Sequence, residues 1–259
     1  MAKQLSLIWR VLATALCFFA FGLGGLILRV LVFPLLGAVS RNPDARIRRA
    51  RLMIRWAFRG LVEMMRVLGV LRYEVCGLDR LRRGGLLILA NHPTLIDTVF
   101  LMAFVDRADC IVKSKLWNNP FTYGPVRAAG YIRNDDGPEL VERCVASLEA
   151  GNNLIIFPEG TRTPCDGGIR LRRGAANIAV RGMRDITPVV IRCTPRTLGK
   201  DEPWWRVPAQ PPYLRIEVQE DIVIRQFLLA QSGETLAARH LTYLLQDHFT
   251  KETRHHAAA

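Results

Sequence analysis

Residues Val11 to Leu28, VLATALCFFAFGLGGLIL, run without a charge between Arg10 and Arg29. Few folds accept such a stretch. As a helix it measures about 27 Å, close to the thickness of a bilayer's hydrocarbon core. A further apolar run, Val30 to Val39, follows directly. The glycines at 22, 24 and 25 are points where the run can break into a hairpin dipping into one leaflet; unbroken, it is one membrane helix. A core helix of a soluble domain is the competing reading, and length and apolarity weigh against it. Only Lys3 and Arg10 precede the run, whereas Arg41, Arg46, Arg48, Arg49, Arg51, Arg55 and Arg59 follow it. That asymmetry holds the downstream chain on the cytoplasmic side and argues for a retained anchor, residues 1–40, over a cleaved signal.

Residues 41–70 carry arginines at 48, 51, 55 and 59 and Glu63, beside Ile54, Phe58, Leu61, Val62 and Met65. This spacing predicts a basic amphipathic helix over 44–68. Next to an anchor, its charged face is expected to lie on anionic lipid headgroups; a merely solvated face is the alternative. The net charge of +13 calls for an anionic partner of some kind. Nucleic acid is not expected, because the charge gathers near the anchor and no stacking-aromatic or DNA-binding motif is present. Six scattered cysteines without paired spacing read as free thiols in a reducing compartment.

From residue 71 to 250, short apolar runs alternate with helical patterns. Strands are expected at 72–76, 86–90, 109–112, 130–133, 154–157, 187–192 and 214–219. Helices are expected at 95–104, 138–150, 173–181 and 234–249. Alternation of this kind predicts an α/β domain, a mixed and largely parallel sheet covered by helices. The Pro-rich piece 202–213, EPWWRVPAQPPY, reads as a loop with Trp204 and Trp205 at a membrane interface. Residues 251–259 read as a disordered tail whose two histidines make no metal site.

Two polar seams interrupt this pattern. The strand LLILA ends in Asn91-His92-Pro93, with Asp97 five residues after the histidine. The strand LIIF ends in Pro158-Glu159-Gly160-Thr161-Arg162. Both fall at carboxyl ends of strands, where α/β proteins place ligand sites. A neutral imidazole at His92 can take a proton from a hydroxyl, and a carboxylate on its other nitrogen fixes the tautomer and stabilises the imidazolium. Asp97 also fits a plainer role, since Thr94-x-x-Asp97 before an apolar run is close to a capping box. Glu159 and Arg162 alone could form a loop salt bridge.

Together, NHPTLID (91–97) and FPEGTRT (157–163) resemble the glycerolipid acyltransferase family typified by 1-acylglycerol-3-phosphate acyltransferases. LRRGAANIA (171–179) and ITPVVI (186–191) resemble the family's following segments. The likeness covers roughly residues 70–195, and the family's two-helix membrane element extends it to the first 70 by architecture. It implies that His92 is the general base and Asp97 its orienting partner. It implies that Glu159, Gly160, Thr161 and Arg162 bind the acceptor, with Arg162 on a phosphate. Arg133, in GYIRNDD (130–136), resembles the phosphate-binding arginine of the family's second motif in a shifted register; a plain surface arginine is the alternative.

The expected reaction is acyl transfer at a bacterial-type inner membrane, on its cytoplasmic side. An acyl chain would pass from acyl-CoA or acyl carrier protein to the hydroxyl of a lysolipid. No cofactor, metal or covalent intermediate is expected. Backbone N–H groups near Pro93 to Leu95, the proline excepted, are the expected oxyanion donors. Other lipid hydroxyl acceptors, an esterase, and a non-catalytic membrane-binding module are the alternative readings.

Overall fold

The computed structural model describes residues 2–135, 137, 139–164, 168–230 and 233–254. The chain begins with α1 (Ala2–Ile27), α2 (Phe33–Val39) and α3 (Pro43–Val67). Seven strands follow: β1 (Arg72–Cys76), β2 (Leu87–Ala90), β3 (Ala108–Val112), β4 (Ile132–Arg133), β5 (Asn153–Ile156), β6 (Ile186–Thr194) and β7 (Tyr213–Val218). Between and after them lie α4 (Asp97–Phe104), α5 (Tyr123–Ala128), α6 (Glu139–Glu149), α7 (Gly174–Arg181), α8 (Arg225–Ala230) and α9 (Glu234–Arg254).

The strands form one sheet in the order β1-β7-β6-β2-β5-β3-β4. Strands β2 to β6 run one way; β7 is antiparallel to β6, and β1 is parallel to β7. The expected mixed, largely parallel sheet is what forms. Its central strands read as unbroken apolar runs because helices cover both faces. Ile88, Ala90 and Ile155 pack with α3 and α4 on one face. Leu87, Leu89, Leu154 and Ile156 pack with α6, α7 and α9 on the other. Each fully buried Leu or Ile contributes about 1.5–3 kcal/mol to holding the layers together. This stacking puts the carboxyl ends of β2 and β5 side by side at the sheet's centre.

Several boundaries differ from expectation. Helices α5 and α8 are too short to show a convincing period in sequence. The terminal helix runs to Arg254, past Phe249 and into the segment expected to be disordered; residues 255–259 lie outside the described residues.

The first helix does not break at its glycines. Helical turns continue from Ala2 to Val39 through a widened turn at Leu28–Val32. Pro34 lies just beyond that turn and cannot donate to the carbonyl four residues back, which accounts for the widening. Two of the three glycines, Gly22 and Gly25, serve contact, while Gly24 faces open space. A Cβ on Gly25 would overlap the carbonyl oxygen of Phe121, and one on Gly22 would stand 3.7 Å from the Phe121 ring. Reciprocally, a Cβ on Gly124 would lie 2.5 Å from that of Arg29, whose guanidinium bonds Pro120 O at 2.9 Å. Further along, Arg10 donates to Pro208 O (2.6 Å) and Ala209 O (2.7 Å), and Phe18 meets Trp204. The helix is therefore inside out. Arg10, Ala13, Thr14 and Cys17 face the protein, while Leu5, Ile8, Leu12, Leu16, Phe19 and Leu23 face outward.

The amphipathic helix also departs from its expected orientation. Ile54, Val62 and Met65 of α3 are buried in the core. Two of the arginines assigned to headgroups turn inward with them. Arg51 is 9% exposed, pairs with Asp109 at 2.8 Å and donates to Ala129 O at 2.9 Å. Arg55 pairs with Asp106. Arg41, Arg46, Arg48 and Arg49 remain exposed.

Candidate active site

The chain leaves the sheet at Asn91, and its side chain eases the exit. Asn91 Nδ2 donates to Ile191 O at 2.8 Å and its Oδ1 accepts from Ile191 N at 2.7 Å, so a side-chain amide extends the β2–β6 ladder. The backbone is then free to turn, and His92 emerges at the carboxyl end of the central strand.

His92 and Asp97 are in contact. Nδ1 of the ring lies 2.8 Å from Asp97 Oδ2. The same oxygen accepts the Thr94 N–H at 2.7 Å, and Oδ1 accepts the Thr94 hydroxyl. One carboxylate thus holds both the turn before α4 and the histidine ring; the helix itself starts at Asp97, so Thr94 is not its N-cap and the capping-box expectation is corrected. Asp97 is fully buried. Burial pushes its carboxyl above the usual aspartate range, while His92 and the two Thr94 donors pull it back down. The imidazole stacks on Phe157, centroids 4.2 Å apart, and its side chain is 17% exposed. With Nδ1 occupied, Nε2 is the nitrogen left to act on a substrate.

The second seam locks onto the first. Glu159 Oε1 accepts from the His92 N–H at 2.9 Å and from the Thr163 hydroxyl at 2.8 Å. Thr163 N–H donates to His92 O at 2.7 Å. Glu159 is 5% exposed, and burial raises its carboxyl above the usual range against the pull of Thr163 and His92. The resemblance put this carboxylate on the acceptor. The structure puts it beneath the histidine, as a brace.

The strap between β6 and β7 closes over the seams. Leu198 O accepts the Leu95 N–H at 3.0 Å. Arg162 is half-buried and directs Nη1 to Leu198 O (3.0 Å) and Gly199 O (2.6 Å). Both amides expected to serve an oxyanion are therefore engaged: Thr94 N–H with Asp97, and Leu95 N–H with Leu198. That expectation is corrected.

Residues 72–192 match the family model described as Acyltransferase. The match spans 121 of the 259 residues, and the chain is similar to that family over this domain. It is similar to a 1-acyl-sn-glycerol-3-phosphate acyltransferase of Pseudomonas aeruginosa, at 29% identity over 147 residues, 54% of this chain and 57% of the relative. The Helicobacter pylori protein of that description is 32% identical over 117 residues, 42% of this chain and 48% of the relative. The chain spans about half the length of the curated relatives it matches. A crystal structure of the 1-acyl-sn-glycerophosphate (LPA) acyltransferase PlsC from Thermotoga maritima superposes with a TM-score of 0.68 at 19% identity, covering 94% of this chain and 97% of that one. This is a likeness of fold.

The matched domain does not gather every expected residue. His92, Asp97, Glu159, Gly160, Thr161 and Arg162 share the junction of β2 and β5. Arg133 ends β4, three strands from β2 and so roughly 14 Å across the sheet. Its guanidinium pairs with Asp135 at 2.8 Å and lies over the Trp117 ring at 5.4 Å. Sequence reasoning also passed over Asn91, Phe157 and Thr163 as parts of the site. All three stand inside or beside the quoted motifs. Their roles depend on contacts with residues far away in the chain, which a motif does not display.

Proposed function

We propose that this acyltransferase domain moves an acyl chain from a thioester, acyl-CoA or acyl carrier protein, to the hydroxyl of 1-acylglycerol-3-phosphate, giving phosphatidic acid. The observation that carries the reading is the buried carboxylate on His92 Nδ1, which favours the tautomer with a lone pair on Nε2. Nε2 takes the proton as the lysolipid oxygen attacks the thioester carbon. The imidazolium that forms lies against ionised Asp97. Collapse of the tetrahedral intermediate expels the thiolate, and Nε2–H returns the proton to sulfur. No serine nucleophile is needed, since the acceptor brings its own hydroxyl. Glu159 and Thr163 hold the histidine backbone while this happens. The relatives' names support the choice of acceptor.

The outward apolar stripe of α1 supports a membrane location. Leu5, Ile8, Leu12, Leu16, Phe19 and Leu23 would sit in the hydrocarbon of an inner membrane, while the inward side stays on the domain. Trp204 and Trp205, both exposed, would lie at the interface, and the exposed arginines of α3 would meet anionic headgroups. In this reading the active site would lie beside its lipid acceptor on the cytoplasmic face.

The test is turnover of a lysolipid panel, charged and uncharged, with labelled acyl-CoA and acyl carrier protein, read by mass spectrometry. Lysophosphatidic acid should be acylated, and His92→Ala should lower turnover by about 10²- to 10⁴-fold. Turnover near wild type in a folded His92→Ala protein would remove the base assignment. Activity confined to another lysolipid would remove the acceptor.

A further inference from the structure

The turn that follows β5 carries more positive charge than its neighbours consume. Arg162 spends Nη1 on two carbonyls, and Arg196 spends both terminal nitrogens on Thr163 O and Pro164 O. A third guanidinium lies against the same turn. Arg172 is anchored by its backbone N–H, which donates to Pro158 O at 2.8 Å. Its side chain then runs back over Gly160: a Cβ on that glycine would stand 2.8 Å from Arg172 Nε and 3.1 Å from Cζ. Gly160 has φ +69°, so the position is glycine's twice over, by conformation and by the space the guanidinium fills. Among the described residues Arg172 is exposed and its guanidinium has no hydrogen-bond or carboxylate partner.

A phosphate monoester brings between one and two negative charges near neutral pH, more than one partly engaged guanidinium balances. Arg133 does not lie on this turn: it ends β4, two strands from β5, and is paired with Asp135. We propose that Arg172 is a binding residue for the acceptor's phosphate, working with Arg162 across the Gly160 turn. The proposal rests on the reading of the acceptor as lysophosphatidic acid. It moves the second phosphate arginine from β4 to the segment leading into α7.

The experiment compares the full-length protein with Arg172→Ala and Arg172→Lys, using lysophosphatidic acid and uncharged 1-acylglycerol as acceptors. Arg172→Ala should raise the KM for lysophosphatidic acid by roughly tenfold or more, the worth of a charge-assisted bond, with kcat changing less. The preference for lysophosphatidic acid over 1-acylglycerol should fall by the same factor. Lysine should restore part of the loss, as a charge without the planar fork. If wild type acylates lysophosphatidic acid and neither variant moves its KM, the proposal fails while the proposed function stands. A rise confined to the KM of the acyl donor also overturns it. If wild type ignores lysophosphatidic acid, the proposed function fails and this proposal with it.

Discussion

Glu159 separates two accounts of the second seam, and its substitutions should behave in opposite ways. Glu159→Ala strands the His92 N–H and the Thr163 hydroxyl, both now bonded to Oε1. Each unsatisfied donor costs about 1–3 kcal/mol, so the variant should lose about 2–6 kcal/mol of stability. It should also lose kcat, because the backbone that aims the imidazole is no longer held. Glu159→Gln keeps an acceptor at Oε1 and removes a buried charge, so it should fold at least as stably as wild type near pH 7. The pH dependence gives an independent check. Burial raises the folded pKa of Glu159, so the folded state keeps a proton over a range where the unfolded chain has released it. Stability from this group is complete below the ordinary glutamate pKa, about 4.3, and is lost as pH rises through the folded value. Glutamine should abolish that share of the decline, while Asp97, raised in the same sense, keeps its own. Denaturant titrations in mild detergent from pH 4 to 8, with acceptor KM and kcat for each variant, decide the matter. If both variants raise the acceptor KM and leave stability untouched, Glu159 faces the substrate and the brace does not exist.

Two further perturbations test the contacts that join the first helices to the α/β domain. Gly25→Leu should force α1 off Phe121 without preventing insertion, so the protein should stay with membranes through a high-salt wash while its turnover falls; release of wild type by salt would refute insertion itself. Arg51→Leu leaves Asp109 buried without its partner and should cost about 3–5 kcal/mol, whereas Arg51→Met with Asp109→Leu should recover much of it; equal losses in the single and double variants, read by denaturant titration, would show that the ion pair is not what couples α3 to the sheet.

What the amino-acid sequence determined was mostly local. Apolar runs and their spacing marked the strands, and the Thr94-x-x-Asp97 pattern marked the turn where His92 meets its carboxylate, because those partners are only three to five residues apart. Hydropathy likewise exposed the first helix, whose apolar surface is a property of the segment itself. Only the tertiary structure decided which way the remaining polar groups point. Glu159 reaches a backbone amide 67 residues away, and Arg51 reaches a carbonyl 78 residues away. Gly25 is a glycine because of a carbonyl at Phe121, and Leu95 loses its amide to Leu198. In each case the residue type is compatible with two roles, and the choice follows from packing and hydrogen-bond satisfaction against a distant segment. A charged or permissive residue announces that a partner is needed; the fold determines which partner arrives.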